Sequence, residues 1–112
     1  MITRALRIPV NCPVRFTRED GESGEGIAYD LSTGGCVIEH AGVLAISEPM
    51  LLSLQLLLEP GASPITIELA QARWGTRREF GARFQLLPPQ DRRRLAQFIR
   101  STQTAPLPVG SA

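Results

Sequence analysis

The sequence predicts a single all-β domain, a six-stranded antiparallel β-barrel or split barrel, with one helix at its C-terminal end. The chain has 112 residues, a common size for one domain. Six short segments show the period-two alternation of half-buried strands, and stretches rich in turn residues separate them. After the prolines at positions 88 and 89, the apolar period changes to that of a helix.

The first strand is predicted over residues 9–17, where alternate side chains are apolar. The apolar side chains on one face are Val10, Cys12, Val14 and Phe16. Pro13 lacks a backbone N–H donor, so it confines this strand to a sheet edge or a bulge. The acidic, glycine-rich residues 19–26 then predict a hairpin loop.

Five further strands are predicted at residues 27–31, 35–40, 50–58, 65–74 and 80–87. The leucine-rich segment 50–58 has the propensity of a helix, but its alternation favours a strand. The positions that define one face of the last three strands are Leu52, Leu54, Leu56 and Leu58, then Ile65, Ile67 and Leu69, then Phe80, Ala82, Phe84 and Leu86.

One amphipathic helix is predicted over residues 88–102. Asp91 falls in its first turn, where a carboxylate interacts favourably with the helix dipole. Residues 103–112 predict a disordered tail, and residues 1–9 a flexible arm that carries arginines. The folded domain is therefore expected to extend over residues 1–102.

Composition excludes several classes of function. The formal net charge is +1 and aromatic residues make up 5%, which disfavours binding to single-stranded nucleic acid. The N-terminus lacks the apolar core of a secretory signal, and the most apolar stretch is far shorter than the roughly 20 residues that span a bilayer. We therefore expect a cytoplasmic chain without membrane insertion. Cys12 and Cys36, without clustered histidines, predict reduced apolar fillers and no metal site.

The candidate site is the segment Asp30-Leu31-Ser32-Thr33-Gly34-Gly35, on the tight connection between two predicted strands. An acidic acceptor, a hydroxyl and two glycines allow close approach of a flat ligand, because glycine has no Cβ and tolerates positive φ. Arg4 and Arg7, from the preceding arm, supply the opposite charge. All twelve basic side chains are arginines, and arginine binds phosphate or a guanine edge in a planar, bidentate manner.

These features together resemble the PilZ domain family, over residues 4 to about 100. The segments that carry the resemblance are the arginine pair before Ile8-Pro9-Val10, the Asp30-x-Ser32-x-x-Gly35 turn, Ala72-Arg73-Trp74, Gly81-Ala82-Arg83-Phe84 and the C-terminal helix. Ligand-binding members carry Arg-x-x-x-Arg followed by Asp/Asn-x-Ser-x-x-Gly. The second element is matched in full. In the first element, Arg7 matches the second arginine, but Thr3 stands where the first arginine is expected. The nearest available partner, Arg4, gives the shorter spacing Arg-x-x-Arg.

The resemblance implies a six-stranded PilZ-type barrel and a non-enzymatic bacterial receptor for cyclic di-GMP. It implies that Arg7 and Arg4 bind guanine edges and phosphate, while Asp30 and Ser32 either hold the opposite base edge or stabilise the turn. Gly35 is then expected to allow close backbone approach, with Gly34 helping the chain to turn. Ligand binding is expected to order the arm and change the surface offered to a partner protein. The alternative is a PilZ-like interaction module that no longer binds the dinucleotide.

Other conspicuous residues have simpler interpretations. His40 has no evident serine or cysteine partner for catalysis. Trp74 and Phe84 are interpreted as core or barrel-mouth packing. The arginines at positions 92–94 are interpreted as a solvated helix face without a ligand.

Overall fold

A computed structural model of the chain describes residues 7–104, which form a closed six-stranded antiparallel barrel and one helix. The predicted fold class is confirmed, and the barrel closes fully in the strand order β1-β2-β3-β6-β5-β4. The elements are β1 (Ile8–Arg18), β2 (Ser23–Leu31), β3 (Gly35–His40), β4 (Leu51–Leu56), β5 (Ile65–Gly75), β6 (Glu79–Leu86) and α1 (Pro89–Thr104). Strands that follow one another along the chain pair as hairpins, except that β3 and β4 are separated. The pairs β3–β6 and β1–β4 close the barrel.

The first hairpin is tighter than the predicted loop over residues 19–26. Strand β1 ends at Arg18 and β2 begins at Ser23, so the chain reverses within residues 19–22. Backbone hydrogen bonds from Gly21 N–H to Arg18 O (2.9 Å) and from Arg18 N–H to Glu22 O (2.8 Å) close the turn. Gly21 has a φ of +90°, in the left-handed region that favours glycine.

Pro13 lies where the sequence predicts an edge or a bulge. The β1–β4 ladder ends at Val14, opposite Leu56, and the carbonyl of Pro13 accepts one last hydrogen bond from Leu57 N–H at 2.9 Å. The register of β1 against β2 also shifts between Pro9 and Cys12. The missing N–H of Pro13 is tolerated because the ladder to β4 ends beside it.

The barrel interior is filled by the predicted alternating faces. Three rings pack together, with Phe16, His40 and Phe80 in mutual edge-to-face contact at centroid distances of 5.2–5.6 Å. The strand interpretation of the leucine-rich segment is confirmed. The inward side chains of this segment and of strands β5 and β6 include Leu52, Leu54, Leu56, Ile65, Ile67, Ala82 and Phe84.

Two predicted inward positions are wrong. Leu69 is only partly buried, because the β5–β6 register shifts between Leu69 and Ala70 and this bulge transfers the inward face to Ala70 and Ala72. Leu86 is 51% exposed at the end of β6. Leu87, just beyond the strand, is buried in its place.

Helix α1 is held against the barrel at its first turn. The buried carboxylate of Asp91 accepts a hydrogen bond from Thr66 N–H at 2.9 Å, and Arg94 donates to Asp91 at 3.3 Å and to the carbonyl of Pro64 at 3.4 Å. The helix extends to Thr104, so it includes residues 103 and 104, which are predicted from the sequence to belong to the tail. Within residues 7–104, no helix has the length and apolar character needed to span a membrane. Residues 1–6 and 105–112, where most of the predicted arm and tail fall, lie outside the described residues.

Unfolding is expected to become easier as the pH falls below about 6.5, the ordinary pKa of histidine. His40 is buried, and its Nδ1 accepts a hydrogen bond from Gly42 N–H at 3.1 Å. Burial lowers the pKa of His40 in the folded protein. The unfolded chain therefore binds the proton at a higher pH, so the free energy of unfolding decreases as the pH falls through this window.

Denaturant unfolding at pH 7.5, 6.5, 6 and 5.5 measures this effect. His40 is the sole histidine of the chain, so a His40→Asn variant, whose amide oxygen replaces Nδ1 as acceptor, is the matched control. Its stability is expected to change less over the same interval. Equal slopes in both proteins would contradict the assignment to His40.

Candidate functional site

Arg7 and Asp30 meet at one end of the barrel. Antiparallel pairing places Ile8 opposite Leu31 and Pro9 opposite Asp30, so the start of β1 lies beside the end of β2. The Nη1 atom of Arg7 donates to Asp30 Oδ2 at 2.8 Å. Both side chains reach solvent, with exposed fractions of 57% and 32%. This hydrogen bond uses only one nitrogen of the Arg7 guanidinium, so most of its N–H groups remain available to a ligand. Arg4, the other predicted arginine, lies outside the described residues.

Ser32 stabilises the turn between β2 and β3. It is buried, with 4% of its surface exposed, and its Oγ accepts a hydrogen bond from Gly34 N–H at 3.1 Å. Its backbone N–H donates to the Gly35 carbonyl at 2.9 Å. Of the two roles left open for Ser32, this geometry favours that of a local side-chain-to-backbone clamp.

The two glycines of the motif differ in their physical role. Neither Gly34 nor Gly35 has a positive φ, because among the described residues only Gly21, Gly42 and Gly61 do. That part of the sequence-based expectation is wrong. A Cβ on Gly35 would lie 2.4 Å from the backbone carbonyl oxygen of Ala82, whereas one on Gly34 would meet only Ser32 Oγ, at 3.9 Å. Gly35 allows two strands to approach, and Gly34 leaves the turn surface open.

A cleft of about 330 Å³ lies beside this turn. Its walls come from the start of β1, the β2–β3 turn, β3, β5 and β6. Three arginines and no carboxylate belong to the lining, which is Arg7, Ser32, Gly34, Gly35, Cys36, Val37, Arg73, Trp74, Gly81, Ala82 and Arg83. Asp30 lies outside the lining and contacts it through Arg7. The cleft is thus a positively charged surface suited to an anion.

Trp74 lines the cleft, whereas the sequence predicts core or barrel-mouth packing for it. Phe84 is buried in the core, but Trp74 is 41% exposed. A bulge in β5 between Ala72 and Trp74 turns its side chain outward, and the ring covers Gly81 of β6 so closely that a Cβ there would lie 2.2 Å from Trp74 Nε1. A glycine within a strand often marks such a close approach. Gly81 was therefore the available signal in the sequence.

The two cysteines are free thiols within the barrel wall. Both are buried, and Cys36 also contributes to the cleft lining. Burial raises the pKa of Cys12 to about 11 and that of Cys36 further still. Both side chains are therefore neutral near pH 7 and behave as small apolar groups.

A larger cleft, of about 480 Å³, lies over β1, β2 and β4. Its lining contains apolar side chains, including Ile27 and Leu57, and two charged ones, Arg15 and Glu25. Those two are direct cross-strand partners of opposite charge. No residue of the Asp30–Gly35 motif lines this cleft, so the smaller, cationic cleft is the candidate site.

Comparison with protein families assigns this architecture. A family model described as PilZ domain matches residues 2–101. These include the whole barrel, the Asp30–Gly35 segment between β2 and β3 (the motif turn) and most of α1. The chain belongs to the PilZ domain family. PilZ domains are non-catalytic, so the chain is not an enzyme. No curated protein sequence gives a significant match.

Solved structures share the fold of this PilZ domain at low sequence identity. The Bacillus subtilis inhibitor of motility MotI/DgrA is 20% identical with a TM-score of 0.77, and the match covers 96% of this chain and 54% of that one. The PilZ domain of CeSA from a cellulose-synthesizing bacterium is 19% identical with a TM-score of 0.68, and covers 88% and 99%. Escherichia coli YcgR in complex with c-di-GMP is 20% identical with a TM-score of 0.70, and covers 90% and 46%. The chain thus spans about half the length of MotI/DgrA and of YcgR.

Proposed function

We propose that this PilZ domain is a bacterial cytoplasmic receptor that binds cyclic di-GMP at the cationic cleft and relays the signal to a partner protein. The observation that carries the proposal is the 2.8 Å contact between Arg7 and Asp30. These residues come from two motifs that are far apart in the chain, and the fold joins them at the edge of the cleft that the motif turn lines.

The chemistry of the ligand matches these groups. Cyclic di-GMP has two anionic phosphates and two guanines, and each guanine presents N7 and O6 as adjacent acceptors for one guanidinium. Arg7 supplies that guanidinium, and Arg4 supplies a second cation from the arm. The Asp30 carboxylate orients Arg7 and accepts from the N1 and N2 hydrogens of a base. Gly34, which is exposed in the turn, leaves backbone surface accessible to the ligand.

Family membership and the complex of E. coli YcgR with c-di-GMP support this ligand class. The YcgR structure is 20% identical to this chain. The ligand assignment therefore depends on the residues at this site, above all on Arg7 in the cleft lining and on Asp30 beside it.

The arm provides the proposed relay. Arg7 directly precedes β1, so a ligand held by Arg7 and Arg4 fixes the arm against the barrel. Binding thereby changes the surface at this end of the domain, as in other switches that order a segment. A partner protein that recognises this surface then distinguishes the bound from the free domain.

Titration calorimetry of the full chain with cyclic di-GMP tests the proposal. We expect saturable heat and a rise in melting temperature with ligand concentration, since a ligand that binds only the folded state stabilises it. Cyclic di-AMP is the matched control, because its adenines lack the O6 acceptor and the N1 and N2 donors. Neither heat nor a thermal shift at high cyclic di-GMP concentration would contradict the proposal.

One observation favours a second function, that of an interaction module without dinucleotide binding. Thr3 stands where ligand-binding members carry the first arginine, and Arg4 is displaced from that position by one residue. In this alternative, Asp30 and Ser32 serve stability alone, and partner capture is indifferent to cyclic di-GMP. The titration separates the two functions without knowledge of the partner.

A further inference from the structure

We infer that Arg73, Trp74 and Arg83 form a purine-binding wall of the cleft, in which one guanine stacks on Trp74 and Arg83 supplies the cation missing at Thr3. This inference rests on the proposed function and assigns to the site three residues outside the arginine and Asp-x-Ser-x-x-Gly motifs. All three line the same cleft as Arg7 and the motif turn.

Strand register brings Arg83 between the motif turn and the indole. Arg83 pairs directly with Gly35 across β3 and β6, and it lies two residues from Gly81, on which Trp74 rests. Residues two apart on a strand point to the same face, about 7 Å apart. Arg83 therefore projects from the face of β6 that the Trp74 ring, from β5, covers at Gly81, and a purine base bridges this spacing.

The side chains of this wall are free to receive a ligand. Within residues 7–104, neither Arg73 nor Arg83 forms an ion pair with a carboxylate, and both are exposed. Trp74 is 41% exposed, although burial of a large aromatic ring is energetically favourable. A single arginine without an ion pair is commonly solvated and needs no ligand. Here, however, three arginines and a half-exposed indole line one small cleft.

The chemistry of the wall matches guanine. A base stacks on an indole ring, and a guanidinium binds N7 and O6 of guanine in a bidentate manner. Arg73, adjacent to Trp74 in the chain, adds a second positive charge for the phosphate. The volume of about 330 Å³ is at the lower end of the roughly 300–1,000 Å³ typical of ligand pockets. It suits one nucleotide half, with Arg7 at the edge of the same cleft for the other half.

Intrinsic fluorescence and calorimetry together test the wall. Trp74 is the sole tryptophan of the chain, so its emission reports directly on stacking, and we expect saturable quenching as cyclic di-GMP is added. By calorimetry, Trp74→Leu and Arg83→Ala are each expected to weaken binding roughly tenfold or more. Trp74→Phe, which keeps a ring, is expected to lose only a few fold. Arg93→Ala, on the exposed surface of α1, is the matched control and should bind like the wild type.

The outcomes separate the inference from the proposed function. If the wild type gives no heat, the proposed function fails and the inference fails with it. If the wild type binds but its emission does not change, and Trp74→Leu and Arg83→Ala bind equally well, the wall is overturned while the receptor function stands. Melting temperatures of the variants identify any loss of folding, and Arg83→Lys, which keeps the charge without the planar fork, then supplies the second comparison.

Discussion

Replacing Arg7 or Asp30 by alanine is expected to weaken cyclic di-GMP binding by well over tenfold in each case. Each substitution leaves polar groups of the ligand or of the remaining partner without a hydrogen bond in the complex, which costs about 1–3 kcal/mol or more for charged groups. The effect on folding should be small, because exposed ion pairs contribute only about 0–1 kcal/mol. The Arg7 side chain is 57% exposed. Calorimetry measures the affinity, and thermal unfolding measures the stability.

A double-mutant cycle sharpens this experiment. If Asp30 acts chiefly by orienting Arg7, the double variant should bind about as weakly as Arg7→Ala alone. Arg15→Ala is a matched control, since Arg15 lies on β1 and lines the other, larger cleft. Wild-type affinity in both single variants would contradict these roles, whereas a wild type that binds no cyclic di-GMP, with a lower melting temperature in Asp30→Ala, would support the interaction module instead.

Gly35→Ala and Gly34→Ala are expected to separate stability from binding. In Gly35→Ala, the new Cβ would lie 2.4 Å from the carbonyl oxygen of Ala82, so β3 and β6 must move apart. Overpacking of this kind typically costs about 1–3 kcal/mol, and the melting temperature should fall by roughly 4 °C or more. In Gly34→Ala, the nearest atom is Ser32 Oγ, at 3.9 Å, so folding should be nearly unchanged while the methyl group obstructs the ligand.

Thermal unfolding and calorimetry of the two glycine variants measure these effects, and each variant is the control of the other. Gly61→Ala adds a third comparison, since Gly61 has open space around its Cα but a φ of +81°. Its cost would be conformational rather than steric. Equal melting temperatures for Gly35→Ala and the wild type would contradict the close approach of β3 and β6.

Much of the barrel was predictable because burial of one strand face imposes a period of two on the sequence. Phe80, Ala82 and Phe84 show this period and are buried, and the leucines of β4 show it despite their helical propensity. The prediction fails at Leu69 because a bulge changes which face points inward. A bulge adds one residue against a partner strand, and the partner is not visible in the local sequence.

The candidate site was predictable in part. The acidic and hydroxyl residues of the motif turn and the type of cation opposite them follow from the sequence, and the structure joins Arg7 to Asp30. Trp74 was missed because its exposure depends on a bulge in β5 and on Gly81 of the neighbouring strand. The sequence pattern alone does not distinguish an indole in the core from one at the surface.

The order of residues in the chain is enough to predict the number and kind of elements, the turn chemistry at Asp30–Gly35 and the exclusive use of arginine as the cation. That Arg7, Trp74 and Arg83 line the same cleft is visible only in the folded barrel. The alternation of apolar and polar residues indicates which side chains of a strand face the core, and this is a local property of that strand. Which strands become neighbours depends on the closure of the whole barrel, and this closure places Arg83 beside Gly35 and the start of β1 beside Asp30.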